Sequence, residues 1–105
     1  MNIEDWRRQI DELDDKLVEL LNRRARAAHE IGRLKHDTDL PIYEPDRERS
    51  VIAHVQEVNK GPLHNLDLAQ IYERIMDVMR KIQKEESAVQ PSVATATELD
   101  AEVSD

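Results

Sequence analysis

From Ile3 to Lys35 the chain contains no proline, and its one glycine, Gly32, comes a turn before the end. Steps of three and four through this stretch give Ile3, Trp6, Ile10, Leu13, Leu17, Leu20, Arg24, Ala27, Ile31 and Leu34. A pattern that recurs every ~3.5 residues demands a helix with a single apolar seam. At ~1.5 Å per residue that helix is about 50 Å long. A compact domain of roughly 100 residues has a radius of gyration of only about 13 Å, so the seam outruns what its own chain can cover, and a dimer is expected. Arg24 alone breaks the seam. A guanidinium there is costly unless an anion meets it. Spacing leaves two readings open: an acidic residue across the seam that sets register, or an anionic ligand.

The remaining elements follow from their punctuation. Asn2 is the expected N-cap of the first helix, with Glu4 and Asp5 in its first turn. Asp37-Thr38-Asp39 softens its end, and Pro41 makes Leu40 a poor helical residue. Residues 37–44 read as a connector. A second helix is expected from Pro45, with Glu44 as its cap, to Asn59. Val51, Ile52, Val55 and Val58 fall on one of its faces. Lys60-Gly61-Pro62 is a stop signal. A third helix is expected from Asp67, with Gln70 completing a capping box and Leu66 stapled to Ile71. Its stripe is Leu68, Tyr72, Ile75, Met79 and Ile82. With 3% aromatic residues and two glycines, nothing in the composition competes with an all-α fold of one long and two shorter helices. Residues 1–86 read as one domain. From Ser87 onward the chain is small, polar and then acidic without periodicity, which reads as a disordered tail over 87–105.

That tail carries much of the net charge of −8. No Lys or Arg follows Lys84, so residues 1–84 hold 17 acids against 15 bases. Such a balance offers no basic face for nucleic acid. No apolar run is long enough to span a membrane, and the start has neither a basic region nor an apolar core like those of a signal peptide. A cytoplasmic location is expected. Without cysteine there is no thiolate chemistry. His29, His36, His54 and His64 lack the spacing of metal ligands, and neither a glycine-rich phosphate loop nor a nucleophile elbow is present. No cofactor or metal is expected.

The polar residues that invite a role are few. Lys35 lies eleven residues after Arg24, about 17 Å along the helix and about 20° away in rotation. The two can grip one small molecule, although alone Lys35 suits a solvated helix end. Arg7 lies about 25 Å from Arg24, out of Lys35's reach within one straight helix, yet near it in an antiparallel dimer. The run Asp46-Arg47-Glu48-Arg49 opens the second helix, and Gln83 borders the third helix's stripe. By itself the charged run reads as a solvated helix face and Gln83 as a neutral residue at the stripe's edge.

Taken together, the phrases RRQIDELDDKLVELLNRR, EIGRLK and PIYEPDRER, with the late Gln83, resemble the all-helical (AroQ-class) chorismate mutases over about residues 3–84. The resemblance implies an intertwined homodimer of three-helix chains whose two sites each borrow an arginine from the other subunit. In its terms Arg7 is the borrowed arginine, and Arg24 and Arg47 hold substrate carboxylates. Lys35 and Gln83 donate to the ether oxygen. Glu48 takes the ring hydroxyl, with Glu44 close to it. Met79 stands where several members of that family have a serine beside a carboxylate, and Arg80 falls where some are apolar.

The activity implied is an isomerase of phenylalanine and tyrosine biosynthesis, turning chorismate into prephenate by clamping its conformation and stabilising charge, without covalent catalysis. Two alternatives accompany it. One is an isochorismate-pyruvate lyase on the same fold, against which the short acidic Asp37-Thr38-Asp39 connector speaks. The other is a non-catalytic dimerisation or regulatory module, which would gain nothing from Arg24 on its seam. Some members of the family work docked onto another shikimate-pathway enzyme, and Arg80 and the acidic tail are open to such a contact.

Overall fold

The computed structural model describes residues 1–86. The expected tail over 87–105 lies outside them. Among the described residues the chain is all helix and turn: α1, Ile3–Thr38; α2, Pro45–Val58; and α3, Asn65–Glu86. None of these helices is long and apolar enough to cross a membrane. By backbone contacts the chain falls into two units, divided between Arg24 and Ala25.

The start of α1 is capped reciprocally. Asn2 Oδ1 accepts from the Asp5 N–H at 2.9 Å, and Asp5 Oδ2 accepts from the Asn2 N–H at 3.1 Å. Two orphan amides of the first turn are thereby satisfied. The helix runs past Lys35 to Thr38, three residues beyond the expected end. There Asp39 takes φ 61°, the left-handed conformation that Asp tolerates better than most residues. Leu40 N–H then reaches back to Lys35 O at 3.1 Å, a bond that caps the helix and turns the chain.

Glu44 does precede α2 in extended geometry, with Pro45 inside the first turn, but its side chain makes no capping bond. Its carboxylate is engaged elsewhere. Helix α2 ends at Val58, one residue before Asn59, whose side chain organises the turn. Asn59 donates to Leu63 O at 2.8 Å and accepts from the Gly61 N–H at 3.0 Å. Gly61 has φ 77°, open to glycine at no steric cost. Helix α3 starts two residues earlier than the sequence suggested, with Leu68 N–H bonded to His64 O. Asp67 is therefore inside the first turn and caps nothing, and the Leu66–Ile71 staple does not form, since both side chains are exposed.

Helices α2 and α3 pack on each other. Val51 and Val55 of α2 meet Ala69, Met76 and Met79 of α3 in a thin core, joined by Ala28 of α1. Val58, expected on the inner face, is exposed. Helix α1 contributes Ala28, Gly32 and Lys35 as its buried positions. This line lies one residue on from the apolar seam, whose Ile31 and Leu34 are exposed, as are Ile3, Trp6, Leu13, Leu17 and Leu20. On this line Gly32 permits a contact with α3 that any side chain would block. A Cβ on Gly32 would stand 2.8 Å from Gln83 Cα and 2.9 Å from Gln83 O.

Candidate active site

That close approach fixes the centre of the site. Lys35 lies three residues after Gly32 on the same helical face, and Gln83 is the residue Gly32 meets. Lys35 is only 7% exposed, so the solvated helix-end reading does not hold. Burying an ammonium requires partners for its three protons, and three acceptors are in place. They are Gln83 Oε1 at 3.0 Å, Ile42 O at 3.0 Å and Glu44 Oε2 at 2.7 Å. The Ile42 carbonyl is supplied by the connector that the Asp39 turn redirects. Glu44 serves this ammonium instead of capping α2.

The pairing also orients Gln83. An ammonium only donates, so the amide must show it the oxygen, and the Gln83 Nε2 protons are left for another acceptor. Lys35 and Gln83 together form part of a recess of about 220 Å³, with Gly32, His36, Asp39, Leu40 and Ile42.

Glu48 follows Glu44 by one turn, its N–H bonded to Glu44 O at 3.0 Å. It is half-buried and bonded to Arg80 of α3. Arg80 also binds Asp77 and lies 5.2 Å over the Tyr43 ring. The Glu48 hydrogen bond is the main cause holding the Arg80 guanidinium above its ordinary pKa, opposed by burial. Sequence reasoning gave Arg80 no place in this cluster, although its i, i+3 relation to Gln83 puts both on one face of α3.

The other expected residues are more scattered. Arg47 is exposed in the first turn of α2 and pairs with no described side chain. Arg24 is half-buried, and Arg7 is half-exposed with Glu4 at 3.8 Å; both belong to the unit that ends at Arg24. Met79, at the position expected to border a carboxylate, is packed in the α2–α3 core at 6% exposure. No group of side chains that could hold a metal ion occurs among the described residues.

Comparison with known proteins points the same way as this geometry. A family model described as chorismate mutase type II matches residues 6–84. A bifunctional chorismate mutase/prephenate dehydratase of Pseudomonas aeruginosa is 43% identical over 75 residues, 67% of this chain. The chain spans only 20% of that relative's length. A chorismate mutase of Methanocaldococcus jannaschii is 27% identical over 82 residues, 75% of this chain and 81% of its own. Among solved structures, the chorismate mutase of Helicobacter pylori in complex with prephenate superposes with a TM-score of 0.75 at 28% identity. The match covers 84% of this chain and 97% of that one.

Proposed function

The chain belongs to the chorismate mutase type II family, and on that premise we propose that it rearranges chorismate to prephenate. The observation that carries this reading is the buried Lys35 ammonium held against Gln83 at 3.0 Å. The reaction is unimolecular. As the ether C–O bond breaks and a C–C bond forms, negative charge grows on the ether oxygen. No proton is transferred and no covalent intermediate is needed, so the task is to fold the substrate into its compact conformer and to place donors at that oxygen.

Lys35 and Gln83 suit the second task. Gln83 offers its Nε2 protons. All three Lys35 protons are engaged in the free chain, so the ether oxygen must displace one acceptor. Glu44 is the group free to yield, because its side chain is 45% exposed and can swing into water, whereas the Ile42 carbonyl is fixed in the backbone. Displacing Glu44 gives the ammonium a new partner in the charge growing on the ether oxygen. The first task falls to arginines: Arg24, Arg47 and the partner subunit's Arg7 clamp the two carboxylates, while Glu48 accepts from the ring hydroxyl.

The reading includes a homodimer with shared sites. It is supported by the exposed run of Ile3, Trp6, Leu13, Leu17, Leu20, Ile31 and Leu34 on α1, a stripe that a second copy would remove from water. Arg7→Ala and Lys35→Ala chains, each inactive alone, are expected to regain about a quarter of wild-type activity when refolded together in equal amounts. Half the dimers would then be mixed, each with one intact site. Sites built within single chains would regain nothing.

The activity itself is tested by mixing the protein with chorismate and following loss of its absorbance and appearance of prephenate. Isochorismate, with pyruvate as the readout, forms the second arm. Turnover of chorismate without pyruvate release is expected. Pyruvate from isochorismate with chorismate untouched would make the chain a lyase, and inertness toward both would leave it a helical module.

A further inference from the structure

Arg80 is not part of the catalytic pair, yet it completes the polar ring around it. Lys35 binds Glu44 and Gln83. Glu44 is linked through its backbone to Glu48. Glu48 binds Arg80, and Arg80 lies one helical turn before Gln83 on α3. The circuit joins the end of α1, the connector, the start of α2 and the face of α3.

The guanidinium is shared among three side chains. One nitrogen, Nη1, serves Glu48, the other, Nη2, serves Asp77, and the plane lies 5.2 Å over the Tyr43 ring. A planar guanidinium presents a rigid fork to carboxylates and its face to a ring, a geometry that a point-charge ammonium does not reproduce. Its bond to Glu48 is the link through which Arg80 bears on the site. The side chain of Glu48 is 22% exposed, and Arg80 engages its Oε2. This leaves Oε1 to accept a further hydrogen bond.

We propose that Arg80 is a positioning residue of the chorismate site: it pins Glu48 and Tyr43 so that the second oxygen of Glu48 faces the substrate's ring hydroxyl. The inference rests on the mutase reading above. It also separates two functions that α3 performs side by side, with Gln83 at the breaking bond and Arg80 behind the hydroxyl acceptor.

The test compares wild type, Arg80→Ala, Arg80→Lys, Glu48→Gln and the Arg80→Ala/Glu48→Gln double variant. Each is assayed with chorismate and with an analogue whose ring hydroxyl is replaced by hydrogen. Helicity by circular dichroism confirms that each variant is folded. With chorismate, Arg80→Ala is expected to raise KM by roughly ten- to a hundredfold, the worth of one bond to a charged group, with kcat changed less. Arg80→Lys restores part of the loss. With the deoxy analogue, or in the Glu48→Gln background, removing Arg80 changes KM less than about twofold, since coupled residues are not additive. Equal losses with both substrates, or full additivity with Glu48→Gln, would reduce Arg80 to a brace between α2 and α3 and overturn the proposal. If Arg80→Ala does not fold, the same two comparisons made with Arg80→Lys decide it. A wild-type chain that leaves chorismate unchanged would instead refute the mutase reading, a result visible before any variant is made.

Discussion

Lys35→Ala is expected to lower kcat by at least 10²–10³-fold, the typical cost of one preorganised donor at a developing oxyanion. The structure argues for the upper end of that range. Lys35 is both a donor and the group that turns the Gln83 amide, through the 3.0 Å bond to Oε1. Without it the amide is free to flip, and the second donor loses its aim. Gln83→Ala is therefore expected to cost less than Lys35→Ala, because Lys35 keeps the fixed Ile42 carbonyl as an anchor.

The substitution also touches stability, since Lys35 is one of the buried residues of α1. Hydrogen bonds to a charged group contribute about 1.5–3 kcal/mol each, but the exposed Glu44 rehydrates, so the net loss is set mainly by Ile42 O and Gln83 Oε1. Steady-state kinetics beside a denaturation curve separates the two effects. A Lys35→Ala protein that stays folded and keeps more than a tenth of wild-type kcat would remove Lys35 from the chemistry.

Gly32→Ala has the second largest expected effect, and it acts without touching a polar group. Its Cβ would meet the Gln83 backbone at 2.8 and 2.9 Å and the Gln83 Cβ at 3.2 Å. Backbone atoms of a helix cannot rotate aside, so α1 and α3 must separate. Overpacking of this kind costs about 1–3 kcal/mol, while replacing a helical glycine by alanine returns up to about 1 kcal/mol. The net change in stability is therefore modest. The change in function is not, because Lys35 and Gln83 lie on either side of this contact, and a shift of about 1 Å in a catalytic geometry can cost about 10²-fold. A fall in kcat far larger than the fall in Tm is expected. If kcat stays within about twofold of wild type, the close approach at Gly32 is not what sets the donor pair.

Much of this was legible in the residues. The heptad steps gave α1, Pro45 gave the start of α2, the end of α2 was placed within one residue, and Lys60-Gly61-Pro62 marked the turn that separates α2 from α3. The misplaced start of α3 shows a limit of such signals. Asp67 and Gln70 have the spacing of a capping box, but a cap also needs non-helical backbone at the first residue, and here the helix is already under way at Asn65. Glu44 shows another. Its place before α2 was readable, but its carboxylate had a stronger partner in Lys35 than an exposed amide, and that partner comes from a different helix. Arg80 escaped for the same reason, since its partners Glu48 and Tyr43 are more than thirty residues away in sequence.

The sequence by itself determined where the helices are, that α1 is too long and too apolar for one chain to cover, and through its joint pattern the family to which the chain belongs. Periodicity can do that because it reports which residues share a face. It does not report which faces meet. Only the tertiary structure decided that the inward line of α1 is Ala28, Gly32 and Lys35 rather than the larger seam beside it. The reason is steric: a Cβ at Gly32 would stand 2.8 Å from Gln83 Cα, so α1 meets α3 this closely only because that position has none. That contact turns Lys35 from a helix-end lysine into a buried donor against Gln83, 48 residues away.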